Sequence, residues 1–181
     1  MRVKEFADFA KVADVPGDTI ERYRSRVPDD VLDIWVRDGY GTFSSGFFKV
    51  IDPDHYSVAL QESLPLAHVV PLFATGLGDI VTWDGLDYCD LKYRYGTLRG
   101  MGTSIHNFPL YAAEPSFLVD WYQWEPYEAA VETHGPLEFD ECFGYVPLLA
   151  LGGPEKVENL KKVKLAEHVN IITQIVGPME Y

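Results

Sequence analysis

The clearest pattern of apolar and polar positions lies in the last third of the chain. Leu165, His168, Val169, Ile172 and the pair Ile175/Val176 recur at helical spacing, and Gly177-Pro178 stops the run, which predicts an amphipathic C-terminal helix. Ahead of it, residues 145–151 form an unbroken apolar stretch closed by Gly152-Gly153. It is far shorter than the roughly 20 residues needed to span a bilayer, and its turn-forming flanks predict a buried strand.

The middle of the chain alternates with period two. DIVTWDGLDYCDLKY reads as a hairpin around Asp84-Gly85, a pair suited to a two-residue type I′ turn that would set Trp83 opposite Leu86 and Val81 opposite Tyr88. A second hairpin joins Thr42-Phe43 to residues 47–51 through Ser44-Ser45-Gly46, and residues 103–108 read as a further strand ended by Pro109. Helix starts are marked by Asp18, by Pro28 at a first helical position followed by Asp29 and Asp30, by Asp52-Pro53 and by Glu114-Pro115. Pro126 interrupts the helix begun at Glu114-Pro115, and another runs on to Gly135-Pro136; a short helix around Phe6 and Phe9 is also expected. These elements sum to an α+β fold, antiparallel hairpins packed against several helices. Residues 1–100 and 101–181 form two halves packed together, with residues 101–113 as the hinge in sequence.

A chain of 181 residues, 47% hydrophobic, can bury a sizeable core. The N-terminal residues lack the apolar stretch of a secretory signal, so a cytoplasmic protein is expected. Cys89 and Cys142 stand apart, without metal-ligand spacing, and read as buried free thiols. A net charge of −13 argues against direct binding to nucleic acid, whose phosphates would repel it. That charge is unevenly spread: residues 100–155 contain no Lys or Arg but carry Glu114, Asp120, Glu125, Glu128, Glu132, Glu138, Asp140, Glu141 and Glu155. Such an interval suits docking onto a basic partner, or serves solubility alone.

Nothing in the chain has the spacing of catalytic chemistry. The five histidines are isolated, the carboxylates Asp79, Asp84, Asp87 and Asp90 lack the alternation of a calcium loop, and neither a nucleophile elbow nor a phosphate loop is present. No catalytic residue, metal or cofactor is therefore expected. His168 reads as a core histidine, and His106 and His134 as solvated loop residues. Trp121, Tyr122, Trp124 and Tyr127 are interleaved with Asp120, Glu125 and Glu128. Aromatics beside acids suit an interface to Arg and Lys, the alternative being that the rings fill the core while the acids face water.

Two stretches resemble known families. Phe143-Gly144-Tyr145-Val146-Pro147, Leu149-Ala150-Leu151-Gly152-Gly153, Val157-Glu158-Asn159-Leu160, Val163 and Glu167-His168 resemble the C-terminal domain of type VI secretion immunity proteins, which protect bacteria from DNase toxins. Val27-Pro28, Trp35, Gly39-Tyr40-Gly41, the strand at 46–50, Asp52-Pro53 and Gly78-Asp79 before Trp83 resemble the GAD-related domain that often precedes it. Such proteins usually carry Ala-Phe-Gly-Asp where this chain has Thr75-Gly76-Leu77-Gly78-Asp79. The resemblance implies a GAD-related domain at 1–100 and an immunity-type domain at 101–181, and a protein that neutralises a cognate DNase effector by covering its basic surface. The partner-facing residues expected are Glu125, Glu128, Glu138, Asp140 and Glu141, with Trp124 and Tyr127 as anchors and Asp84, Asp87 and Asp90 as a second patch. The rival readings are a regulatory or scaffold module whose partner is not a toxin, and a small metal-dependent hydrolase.

Overall fold

The structure, a computed structural model, describes residues 3–64 and 68–179. Seven antiparallel strands pair in the order of the chain: β1 (Ala10–Ala13), β2 (Tyr40–Phe43), β3 (Phe48–Val50), β4 (Val70–Thr75), β5 (Ile80–Trp83), β6 (Tyr88–Lys92) and β7 (Thr97–Gly102). Helices α1 (Gly17–Tyr23) and α2 (Asp29–Arg37) link β1 to β2, and α3 (Pro53–Ser63) links β3 to β4. Beyond β7 come α4 (Phe108–Tyr111), α5 (Pro115–Tyr122) and α6 (Glu125–His134), then the ribbon of β8 (Glu141–Tyr145) with β9 (Leu160–Lys164), and finally α7 (Leu165–Val176). This is the α+β fold that the alternating and helical patterns predict.

Period two along the strands builds a core layer on each face of the sheet. Val81 and Tyr88 enter one layer with Trp35, Phe43, Phe73, Phe108 and Tyr122, whereas Ile80 and Leu91 enter the other with Leu60 of α3 and Val169 and Ile172 of α7. Aromatic packing ties the two halves of the chain together: the Phe48 ring lies 5.3 Å from Phe108 and 4.9 Å from Tyr122, both nearly edge-on. Residues 101–113 hold the end of β7, the buried Ile105 and Phe108, and α4.

Several local expectations need correcting. Phe6 and Phe9 lie in an extended arm rather than a helix; it packs on Phe43, with ring centroids 4.1 Å and 6.4 Å away, and leads into β1. Pro28 is the capping residue of α2, one position before its first turn, and Asp18 sits inside the first turn of α1 and does not cap it. The strand expected at 103–108 is displaced to β7, and the expected strand at 145–151 ends at Tyr145. Pro147 has no N–H for a ladder, so the chain leaves the ribbon with Val146 50% and Leu151 63% exposed, and residues 149–151 coil into a single 3-10 turn. Asp52, by contrast, caps α3 as expected, its side chain accepting from the Asp54 amide at 3.0 Å.

The Asp84-Gly85 hairpin forms with a longer loop than a type I′ turn. Trp83 pairs with Tyr88 and Val81 with Asp90, which leaves residues 84–87 as the connection. Asp84 Oδ1 accepts the amides of Leu86 and Asp87, both at 2.8 Å, so the side chain supplies acceptors that a tighter turn would have taken from the backbone. Because the slip is two residues, every strand side chain keeps its predicted face. Gly85 has φ +101°, and nothing stands within 4 Å of a Cβ placed there. Gly85→Val therefore meets backbone strain without a steric clash, and is expected to cost roughly 1 kcal/mol or more. Thermal melts of the two proteins under one condition check this, an unchanged midpoint being the contrary result.

Candidate partner-binding surface

The helices that carry the acidic interval are anchored by cations from the sheet. Helix α5 ends at Tyr122, and Gln123 turns the chain in the left-handed region at φ 46° before α6 begins. Carbonyls in a helix's last turn have no partner within the helix. Here Lys92 donates to Trp121 O and, at 3.0 Å, to Gln123 Oε1, while Arg94 donates to Tyr122 O at 2.5 Å. Positive charge at this end of a helix also opposes its dipole favourably. Behind the two cations stand fully buried carboxylates: Arg94 lies 3.2 Å from Asp79, without hydrogen-bond alignment, and Lys92 lies 3.8 Å from Asp90. Burial raises both acids, Asp90 to about 8, with Asp79 adding to the rise and Lys92 and Arg94 opposing it.

Lys49 does the same on the opposite face of the sheet. Its ammonium, in a side chain 1% exposed, donates to the carbonyls of Glu138 at 2.8 Å, Phe139 at 3.0 Å and Glu141 at 2.5 Å. Desolvation pulls its pKa down to about 8, so the group keeps its charge at neutral pH and all three N–H donors are used. The Thr75-Gly76-Leu77-Gly78-Asp79 loop completes the junction. Gly76 O accepts the Phe143 amide at 2.7 Å, and a Cβ at Gly76 would overlap the ring of Tyr127. Lys49 was legible in principle as an unusual residue, since Phe47-Phe48-Lys49-Val50-Ile51 offers it no polar face; its three acceptors lie 89 to 92 residues away in the chain.

The five expected acids divide into two groups. Glu125 and Glu128 are exposed on α6 and share one face with Glu132, at i, i+3 and i+7. No ion pair joins them to a basic side chain among the described residues. Glu138, Asp140 and Glu141 surround the start of β8, where the chain's lysine-rich strand β9 lies alongside: Lys164 is 2.8 Å from Asp140 and 3.7 Å from Glu141. A hydrogen bond from Lys164 holds the Asp140 carboxyl below its usual range. Glu141 also accepts the Glu138 amide at 3.0 Å. The interval without Lys or Arg in sequence is therefore partly neutralised in space.

The other expected contact residues fall in different environments. Tyr127 is buried, its ring 5.1 Å from Phe47 and 5.9 Å from Phe143, and Trp124 is half-buried against Phe47 at 6.2 Å. Asp84 and Asp87 sit in the β5–β6 loop, Asp84 as its hydrogen-bond acceptor. Asp90 is fully buried and presents no surface: it pairs with Val81 across the β5–β6 ladder and shares its core-facing side of the sheet. Both cysteines are buried, Cys89 with its Sγ donating to Asp84 at 3.8 Å, and burial pushes Cys142 up to about 12. His168 is buried against Gly144 and pushed down to about 4 by desolvation. His106, expected in solvent, is half-buried with both ring nitrogens enclosed. Among the described residues no three His, Cys, Asp or Glu side chains stand together as metal ligands, and no helix is long and apolar enough to cross a membrane.

Comparison with known proteins finds a match in each half. Residues 1–86 match the GAD-like domain, and residues 103–176 match the family described as T6SS immunity protein Tdi1, C-terminal. The order of the two is the one that the sequence motifs suggest. Among solved structures, the crystal structure of Atu4351 from Agrobacterium tumefaciens superposes with a TM-score of 0.76 at 17% identity, covering 92% of this chain and 85% of that one. At that identity the likeness establishes the fold. No curated protein matches the chain.

Proposed function

We propose that this chain, a type VI secretion immunity protein by its GAD-like and Tdi1-type modules, neutralises a DNase effector in the cytoplasm by covering the basic surface with which the effector grips DNA. It acts by occupancy and performs no chemistry of its own. The observation that carries this reading is the face of α6, where Glu125, Glu128 and Glu132 point to solvent without a basic partner among the described residues. A DNA-binding surface is rich in Arg and Lys, and carboxylates presented to it compete with phosphate for the same groups. The helix that presents them is held rigid by buried Tyr127 and by the cations at the α5–α6 turn, so little order need be gained on binding. Asp140 and Glu141 contribute less than sequence alone suggests, since Lys164 already pairs with them.

Glu125→Lys together with Glu128→Lys is expected to slow association with the catalytically inactive effector by about tenfold at low salt, and to flatten the dependence of that rate on ionic strength. Circular dichroism should be unchanged, because both side chains are exposed. Stopped-flow association at low and high salt measures the effect. Equal rates for wild type and variant would make the acidic face a solubility feature and favour a scaffold role with a different partner.

A further inference from the structure

A cavity of about 340 Å³ opens between β7, α4 and α5; its wall is mostly apolar, with Met101, Ile105, Phe108, Tyr111, Phe117 and Trp121, and Ser104, His106 and Asn107 are its polar lining. Its volume is that of a small binding pocket, about 300 Å³ or more. Exposed apolar surface continues beyond the hole itself: Leu110 is 50% and Tyr111 52% exposed, on a short helix that would otherwise hide them. Beside the cavity, Arg99 is stacked on the Trp121 ring at 3.4 Å from its centroid. Its effect is to hold that indole flat against β7.

We infer that this cavity receives an apolar side chain of the effector, flanked in the effector by Lys or Arg, and is the anchoring point of the complex; the inference rests on the effector-binding reading above. Charge supplies the second half of the argument. Glu114 precedes α5 by one residue and Asp120 lies one turn after Phe117, so helix geometry sets the two carboxylates on either side of the Phe117–Trp121 wall. Both are exposed, and neither forms an ion pair among the described residues. An aromatic pocket bordered by unpaired carboxylates has the composition of an interface hot spot for a basic partner: the apolar anchor is desolvated at the centre and the charges act at the rim. A small-molecule ligand fits less well, because the exposed Leu110 and Tyr111 extend the apolar surface past the cavity mouth.

The cavity and the α6 acids can be separated by experiment. Asn107 lines the cavity, is exposed and makes no side-chain hydrogen bond among the described residues, while its carbonyl accepts the amides of Leu110 and Tyr111. Asn107→Trp therefore covers the opening without removing a backbone contact. With the catalytically inactive effector as probe, this variant is expected to dissociate at least tenfold faster at an unchanged melting temperature. The exposed pair Glu114→Lys/Asp120→Lys, which leaves the cavity wall intact, is expected to slow association at low salt and serves should Asn107→Trp fold poorly. If the wild type binds with salt-dependent kinetics and both variants match it, the pocket has no part in recognition although effector binding stands. If the wild type fails to bind the effector at all, the functional reading falls and the pocket's role falls with it.

Discussion

Lys49→Met lowers the stability of the fold by roughly 3 kcal/mol, the expected cost of taking a charged donor from three carbonyls, of which only Glu138 O keeps another among the described residues, the Glu141 amide. Methionine matches the lysine stem in length and shape, so packing against Phe139 and the strand neighbours is retained, and the change isolates the ammonium. Each of the carbonyls of Glu138, Phe139 and Glu141 loses a charge-assisted hydrogen bond of 2.5 to 3.0 Å. Working against this, the variant no longer has to desolvate a cation, a cost that shows in the depression of its pKa to about 8. The hydrogen-bond loss is the larger because all three donors are engaged. Urea titration gives the measurement: the midpoint should fall while the slope stays constant. An unchanged midpoint would mean that water reaches the 138–141 segment and that Lys49 does not join the halves.

Arg94→Met should cost more, about 3–5 kcal/mol, the range for removing one member of a buried ion pair. Asp79, fully buried, would lose its counter-ion 3.2 Å away, and Tyr122 O at the end of α5 would lose its donor. The deficit should depend on pH, and the sign follows from the carboxyl. Burial already raises Asp79, and loss of Arg94 raises it further. A carboxyl whose folded pKa exceeds its unfolded value stabilises the fold at low pH and loses that contribution as pH rises through the folded value. The variant should therefore stand nearer the wild type at pH 5 than at pH 8. Adding Asp79→Asn to Arg94→Met removes the orphaned charge and should recover part of the loss at pH 8. A deficit independent of pH, or no recovery in the double variant, would place the effect in helix capping alone. Asp90 and Lys92 are close enough to couple, so the cycle is read as a property of the four-residue cluster.

Several helix ends and strand faces were legible in the sequence from single residues, although Asp18 and Pro28 were each misplaced at their helix starts. Asp52 caps α3, Gly177 follows α7, and the alternation around Val81 and Tyr88 sends both to one core layer. Errors arose where a side chain competed with the backbone or where proline removed a donor. Asp84 took two amides and lengthened the hairpin loop by two residues, and Pro147 ended β8 before the apolar run was finished. Phe6 and Phe9 gave no helix because Phe43, more than thirty residues on, offered them a packing surface in an extended arm.

The sequence by itself determined the α+β class, the antiparallel hairpins, the amphipathic last helix and the two modules in their order, because these rest on periodicity, caps and motifs confined to neighbouring residues. Only the tertiary structure decided which charges are paired within the fold. A lysine at 49 and a pair of cations at 92 and 94 look like surface residues of the first half until folding brings them to carbonyls of the second. The acids at 140 and 141 look unpaired until β9 sets Lys164 beside them, whereas Glu125 and Glu128 on α6 have no ion pair among the described residues. Charge is summed over distance in space, and an interval empty of Lys and Arg along the chain fixes no such distance.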